Sequence, residues 1–278
     1  MSPYGKRKLK VGLALSGGAA HGIAHVGVLD VLCKSGIPID MIAGTSAGAI
    51  MGAIYAARRD TDLMLEYALD PSWKKLTVMS DPTLGRTGFL KGVKMQKLLA
   101  GFIGGELDFS DLKIPLTCVA TDIDTGEEIL INSGKVVDAL RATISLPGIF
   151  TVVKREGRYL VDGGLTTPVP VKVVRDMGAD FVIGVNVNPD VTKRLGKAYQ
   201  ARVAMHRPPN LLQIMMQSMY IMTWALAHTS LAAADVAIEP DLGNISSSDF
   251  KLAARMIYLG REAAEKALPE IKKKLAEQ

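Results

Sequence analysis

Histidine and cysteine are both scarce in this chain of 278 residues, with four and two copies respectively. The cysteines, Cys33 and Cys118, sit among apolar neighbours and lack a C-x-x-C spacing. That excludes a disulfide-rich secreted scaffold and a cysteine zinc site, and predicts buried free thiols in a reducing compartment. Charge is not extreme: 33 Lys and Arg against 28 Asp and Glu leave a net +5, and 48% hydrophobic with 22% charged residues exclude a disordered chain. A long hydrophobic run is missing as well. The longest stretch without Asp, Glu, Lys or Arg runs from Pro208 to Ala234, and Gln213, Gln217, Ser218, Thr223, His228, Thr229 and Ser230 interrupt it. That pattern is too polar for a membrane span. At the N-terminus, Lys6, Arg7, Lys8 and Lys10 before Val11 to Leu15 imitate a secretory signal, but the apolar run breaks at Ser16-Gly17-Gly18. A cytoplasmic protein is expected.

What is present is an alternation of short apolar runs and longer helical stretches. Leu9 to Leu15 reads as a buried strand, Ile23 to Lys34 as a helix, Asp40 to Ala43 as a second strand and Ser46 to Ala57 as a nearly uncharged helix. Pro71, Pro82, Gly85 and Gly88 punctuate the middle. Further strands are expected at Leu116 to Thr121, Glu128 to Asn132, a hairpin from Thr151 to Val161 turning at Glu156-Gly157, and a last central strand at Phe181 to Val187. Met205 to Ala234 should be mainly helical, and Asp249 to Glu277 a terminal helix interrupted near Pro269. The alternation predicts an α/β protein with a mostly parallel sheet covered on both faces. No internal repeat or clear linker divides the chain, so a single domain over residues 1–278 is expected.

Three places carry chemistry. Gly44-Thr45-Ser46-Ala47-Gly48 is a G-x-S-x-G pattern between a short apolar strand and an apolar helix. A serine on such a sharp turn has its hydroxyl lifted clear of the backbone, and the helix dipole behind it favours developing negative charge; the bland alternative is an ordinary N-cap. The second place is Ser16-Gly17-Gly18-Ala19-Ala20-His21-Gly22, a loop of backbone amides suited to a phosphate or to the oxyanion of a tetrahedral intermediate. It is a poor dinucleotide fingerprint, with Ala19 where the second glycine belongs and Asp40 only loosely at the acidic position, and it lacks a Walker ending. The third is Leu160-Val161-Asp162-Gly163-Gly164, a carboxylate at a strand end beside two glycines, or else a common turn.

Together the three places resemble the patatin-like phospholipase family. The likeness continues through Ala120-Thr121-Asp122-Ile123-Asp124-Thr125-Gly126, Arg141-Ala142-Thr143-Ile144-Ser145-Leu146-Pro147-Gly148 and Gly178-Ala179-Asp180, and so covers roughly residues 8–188. The resemblance implies a three-layer patatin-like fold and a serine acyl hydrolase working through a Ser-Asp dyad. Ser46 would be the nucleophile, Asp162 the base, and the amides of Gly17, Gly18 and Ala19 the oxyanion donors. Two positions depart from the family: Ala19 stands where a third glycine is common, and His21 where Arg or Lys is usual. Alanine can still donate its N–H with a negative φ. The shortage of histidine fits a dyad whose base is a carboxylate.

Two alternatives stand beside this. An α/β-hydrolase triad of Ser46, Asp162 and His228 has the right chain order, though in that fold several strands precede the nucleophile and here only two do. A non-catalytic lipid or nucleotide binder would use the glycine loop but has no need of Ser46 with Asp162. Leu211, Leu212, Ile214, Met215, Met216, Met219, Ile221, Met222 and Trp224 form a broad apolar helical surface, read as an acyl site, lid or membrane-docking face or, equally, as core or an interface between copies. The expected partner is a lipid or other acyl-ester substrate. The mild basic bias suits peripheral contact with anionic lipid through Lys6 to Lys10 and Lys272 to Lys274, no groove-reading element supports nucleic acid, and nothing demands a metal or organic cofactor.

Overall fold

The computed structural model describes residues 9–70, 87–190, 208–243 and 245–277; the side chain of Leu212 lies outside this description, as do Lys6 to Lys8, Pro71, Pro82, Gly85 and Met205. Among the described residues eight strands form one sheet: β1 (Val11–Leu15), β2 (Met41–Thr45), β3 (Leu116–Asp122), β4 (Glu128–Ile131), β5 (Val153–Arg155), β6 (Arg158–Asp162), β7 (Phe181–Val185) and β8 (Val236–Ile238). Hydrogen-bonded neighbours run β5-β6-β3-β2-β1-β7-β8, with β4 also on β3. The stretch β3-β2-β1-β7-β8 is parallel, and β4, β5 and β6 add an antiparallel margin. Chain order reverses on either side of β1, so the carboxyl ends of β1, β2 and β7 open onto the crevice where parallel α/β sheets place their sites.

Strand alternation divides the core into two layers. Val11, Leu13 and Leu15 face one cluster with Ile42, Leu116, Cys118, Phe181 and Ile183. Ala14, Met41, Ala43, Val119 and Val182 face the other. The first, larger layer takes α1 (Ala24–Lys34), α2 (Ala47–Arg58), α3 (Thr61–Leu69), α4 (Val93–Ile103), α5 (Val136–Thr143) and α8 (Ala253–Ala276). The second takes α6 (Val171–Asp176) and the C-terminal end of α7 (Leu211–Leu231), through Ala227 and Leu231. This is the expected three-layer arrangement.

Several elements differ from the sequence reading. The strand at Phe181 is the last central one, and an edge strand the sequence did not suggest, β8, pairs parallel to its outer side; three residues are too few to produce a periodic signal. The terminal helix runs unbroken through Pro269. Pro269 and Glu265 both lie on the exposed face, so the carbonyl that loses its amide partner there turns to water. Of the two thiols only Cys118 is buried, its pKa pushed up to about 12 by burial, whereas Cys33 is half-buried.

Candidate active site

The register of β3 explains how residues 116 positions apart come together. Each of its residues has two edges. Along one, Cys118 to Thr121 pair with β4. Along the other, β2 pairs up to Thr45 opposite Val119, and β6 arrives from the opposite direction with Asp162 opposite Ala120. The ends of β2 and β6 therefore meet head to head at successive positions of β3, which sets Ser46 beside Asp162.

Ser46 holds φ 51°, ψ −121°, a left-handed backbone for a residue with a Cβ, costing about 1–3 kcal/mol that the surroundings must impose. Gly44 and Gly48 make the turn sterically feasible. A Cβ on Gly48 would sit 2.3 Å from the Leu15 carbonyl oxygen, and one on Gly44 2.5 Å from Ala49 Cα. The start of α2 can thus lie directly on the backbone at the end of β1. The Ser46 amide donates to Thr143 Oγ1 at 2.8 Å, and the Thr143 hydroxyl in turn donates a hydrogen bond to the Val119 carbonyl. Although Ser46 occupies the N-cap position of α2, its hydroxyl makes no capping bond. It donates instead to Asp162 Oδ2 at 2.6 Å.

Asp162 is buried, and its other oxygen, Oδ1, accepts the Gly164 amide at 2.8 Å. Burial pushes the carboxyl from an ordinary 3.8 up to about 6, with the bonds from Ser46 and Gly164 pulling the other way. Ionising it at neutral pH therefore costs the fold about 3 kcal/mol. Gly163 behind it admits no side chain, since a Cβ would lie 2.3 Å from the Val119 carbonyl oxygen.

The glycine loop abuts this pair: a Cβ on Gly17 would come within 3.3 Å of Ser46 Cβ. Its carbonyls are tied down, that of Ser16 by the His25 Nε2–H at 2.9 Å and that of Gly17 by Asn188 Nδ2 at 3.1 Å. Buried His25 is held neutral, burial lowering its pKa to about 4. The expected trio of amide donors needs correction. The Gly17 amide donates to the Pro168 carbonyl at 3.1 Å, whereas among the described residues no hydrogen bond engages the amides of Gly18 and Ala19. Ala19 also departs from the expected negative φ, adopting 51° at the start of a short 3-10 turn. His21, at the position where Arg or Lys is usual in the resembling family, is buried with its ring Nε2 on the Ile245 carbonyl at 2.9 Å. With Ala20 donating to the Ser247 carbonyl at 3.0 Å, it fastens the loop to residues 245–247.

His228 lies elsewhere: exposed on α7, it stacks with Trp224 at 6.2 Å between ring centroids. Among the described residues it makes no hydrogen bond to Ser46 or Asp162, and the direct Ser46–Asp162 bond occupies the place a bridging imidazole would take. Thr143, Gly164, His25 and Asn188 carry site geometry that the motifs did not reveal. Thr143 falls within the Arg141–Gly148 stretch, noted for its resemblance but given no role. Thr143 ends α5, a helix that the sequence reading did not assign, and only the register of β3 brings its hydroxyl to the serine amide.

A sequence profile described as patatin-like phospholipase matches residues 13–175. An uncharacterised NTE family protein of Mycobacterium tuberculosis is 34% identical over 184 residues, covering 66% of this chain and 51% of that protein. The neuropathy target esterase sws of Drosophila melanogaster is 32% identical over 183 residues, covering 64% of this chain and 13% of the fly protein. The chain spans about half the length of the curated mycobacterial relatives it matches. Among solved structures, VipD from Legionella pneumophila superposes with a TM-score of 0.55 at 15% identity, covering 95% of this chain and 67% of VipD, a likeness of fold alone. With the profile spanning more than half of its residues and the three motifs converging at one sheet end, the chain belongs to the patatin-like phospholipase family.

Proposed function

We propose that this protein hydrolyses carboxylic esters of lipids through an acyl-enzyme on Ser46, with Asp162 as its sole general base. The observation that carries this is the 2.6 Å hydrogen bond from Ser46 Oγ to a buried Asp162, on a turn whose left-handed backbone keeps the hydroxyl from capping its helix. The names of the family and of the fly relative, phospholipase and esterase, support the choice of an ester substrate.

In this mechanism Oδ2 takes the serine proton as Oγ attacks the acyl carbon. The amides of Gly18 and Ala19 stabilise the oxyanion, and the alcohol leaves with the proton from Asp162. Water then attacks the acyl carbon while giving a proton to the same carboxylate; as the Oγ–acyl bond breaks, Asp162 returns that proton to Ser46 Oγ and the carboxylic acid is released. The raised pKa serves this chemistry, because a carboxylate near 6 is a far better base than one near 4 yet is still ionised at neutral pH.

The test is a set of kinetic profiles on a soluble p-nitrophenyl ester. Activity requires ionised Asp162, so log kcat/KM should rise with unit slope below about pH 6 and level off above it. Ser46→Ala and Asp162→Asn should each lower kcat by roughly a thousandfold or more. His228→Ala should leave turnover within about threefold of the parent, as expected for a group outside the reacting constellation. A phosphonate ester should label Ser46 stoichiometrically. Retained turnover in Ser46→Ala, or collapse in folded His228→Ala, would overturn the dyad.

A further inference from the structure

The helix α7 carries no Asp, Glu, Lys or Arg anywhere on its circumference, and its packing uses only part of it. Thr223 lies against the turn that follows Asp162, its Oγ1 donating to the Gly164 carbonyl at 3.4 Å, and Tyr220 donates to the Pro189 carbonyl after β7. Met216 and Met219 share that half-buried side. The opposite side presents Leu211, Ile214, Met215, Ile221, Met222 and Leu226, each 38–74% exposed. No Asp, Glu, Lys or Arg occurs between Pro208 and Ala234. A monomeric soluble fold seldom leaves so continuous an apolar strip in water beside its site.

We infer that the exposed face of α7 is a docking surface for an anionic lipid bilayer, setting the Ser46–Asp162 site against the membrane surface. The inference rests on the lipid-ester function proposed above and adds the physical form of the substrate. Among the described residues no helix is long and apolar enough to cross a membrane, so the apolar face of α7 would meet lipid from the surface. Charge selects the occupant. The sequence leading into α7, residues 191–207, holds five Lys and Arg and no acidic residue, in a chain of net charge +5. Anionic headgroups complement a chain of net positive charge, whereas a second copy would oppose it with the same sign of charge. The coupling is direct, because the side of α7 that faces the protein touches the Asp162–Gly164 turn.

The test is co-sedimentation with vesicles of phosphatidylcholine alone and of phosphatidylcholine mixed with phosphatidylglycerol. Wild-type protein should partition onto the anionic vesicles, less at high salt, and hydrolyse lipid presented in them. Ile221→Ser with Met222→Ser, and independently Leu211→Ser with Ile214→Ser, should each cut partitioning by roughly tenfold or more, from the apolar area withdrawn. Hydrolysis of vesicle lipid should fall in parallel, with soluble-ester turnover unchanged and thermal unfolding confirming the fold. Ser46→Ala should bind vesicles like the parent, so a failed esterase assay and a failed docking assay are told apart. Wild-type protein that stays in the supernatant overturns the inference. So do serine pairs that sediment as the parent does, or a wild-type dimer in light scattering that those pairs split.

Discussion

The two long helices of the C-terminal region invert each other's chemistry. α8 is studded with Arg, Lys and Glu and carries a proline, yet it is seated firmly on α1. α7 contains no Asp, Glu, Lys or Arg, yet most of its large side chains face water. What seats α8 is close contact and one ion cluster. A Cβ on Gly260 would lie 2.1 Å from the Ala24 carbonyl oxygen and one on Gly27 2.1 Å from that of Ile257, so the two helices cross backbone to backbone. Beside the crossing, Arg261 meets buried Asp30 through Nε and Nη2 at 2.8 Å each, and Lys34 joins at 2.7 Å. Burial alone would raise the Asp30 carboxyl, but hydrogen bonds and charge from Lys34 and Arg261 hold it below its ordinary value. Hydrophobic content does not decide which helix is integral to the core; complementarity of backbone shape and charge does.

Gly260→Val should produce the largest effect, because its new side chain meets a backbone carbonyl that cannot rotate away. A loss of roughly 3 kcal/mol is expected in chemical denaturation, with thermal unfolding lowered accordingly. Arg261→Met should cost about 2 kcal/mol at neutral pH by leaving buried Asp30 with only Lys34 and the Thr61 hydroxyl as partners. A carboxyl held low stabilises the fold above its ordinary pKa and loses that contribution as pH falls through the lowered value. The stabilities of the parent and Arg261→Met should therefore converge in acid.

Ala19→Gly lies in the loop that leads, through Ala20 and Ser247, towards α8. Relieving its positive φ gains more than the extra freedom of glycine in the unfolded chain loses, for a net stabilisation of roughly 0.5 to 1 kcal/mol with ester turnover retained. Smallest of all, Ile221→Ser on the outer face of α7 should change stability by less than about 0.5 kcal/mol. A cost near that of Gly260→Val would mean that the two helices are equally integral, and the contrast between them would collapse.

The central strands were legible because buried β-rich runs bounded by glycine, proline and polar residues carry their own signature, as from Leu116 to Asp122. So was the serine turn, where Gly44 and Gly48 answer a crowding that any sharp strand-to-helix corner creates. The adjacency of Ser46 and Asp162 was legible only through family resemblance, since it depends on two strands sharing one edge of β3. No local pattern encodes which edge a distant strand takes. The destination of the Gly17 amide escaped for the same reason, as its acceptor Pro168 lies 151 residues on. For Pro269 a correct local rule was overridden by position: on the wet face of a helix anchored elsewhere, one missing amide is a small loss.

The two oxygens of Asp162 are not equivalent. The Gly164 amide needs Oδ1 as an acceptor in every state, while Oδ2 faces the serine hydroxyl at 2.6 Å. Under the proposed mechanism a proton taken up by this acid rests on Oδ2 alone, without being shared across the carboxyl group. The group that collects the proton at nucleophilic attack thus holds it at the spot where the departing alcohol forms. The acid works as a stationary relay with a single address, and no conformational change of its side chain has to intervene between the two halves of the reaction.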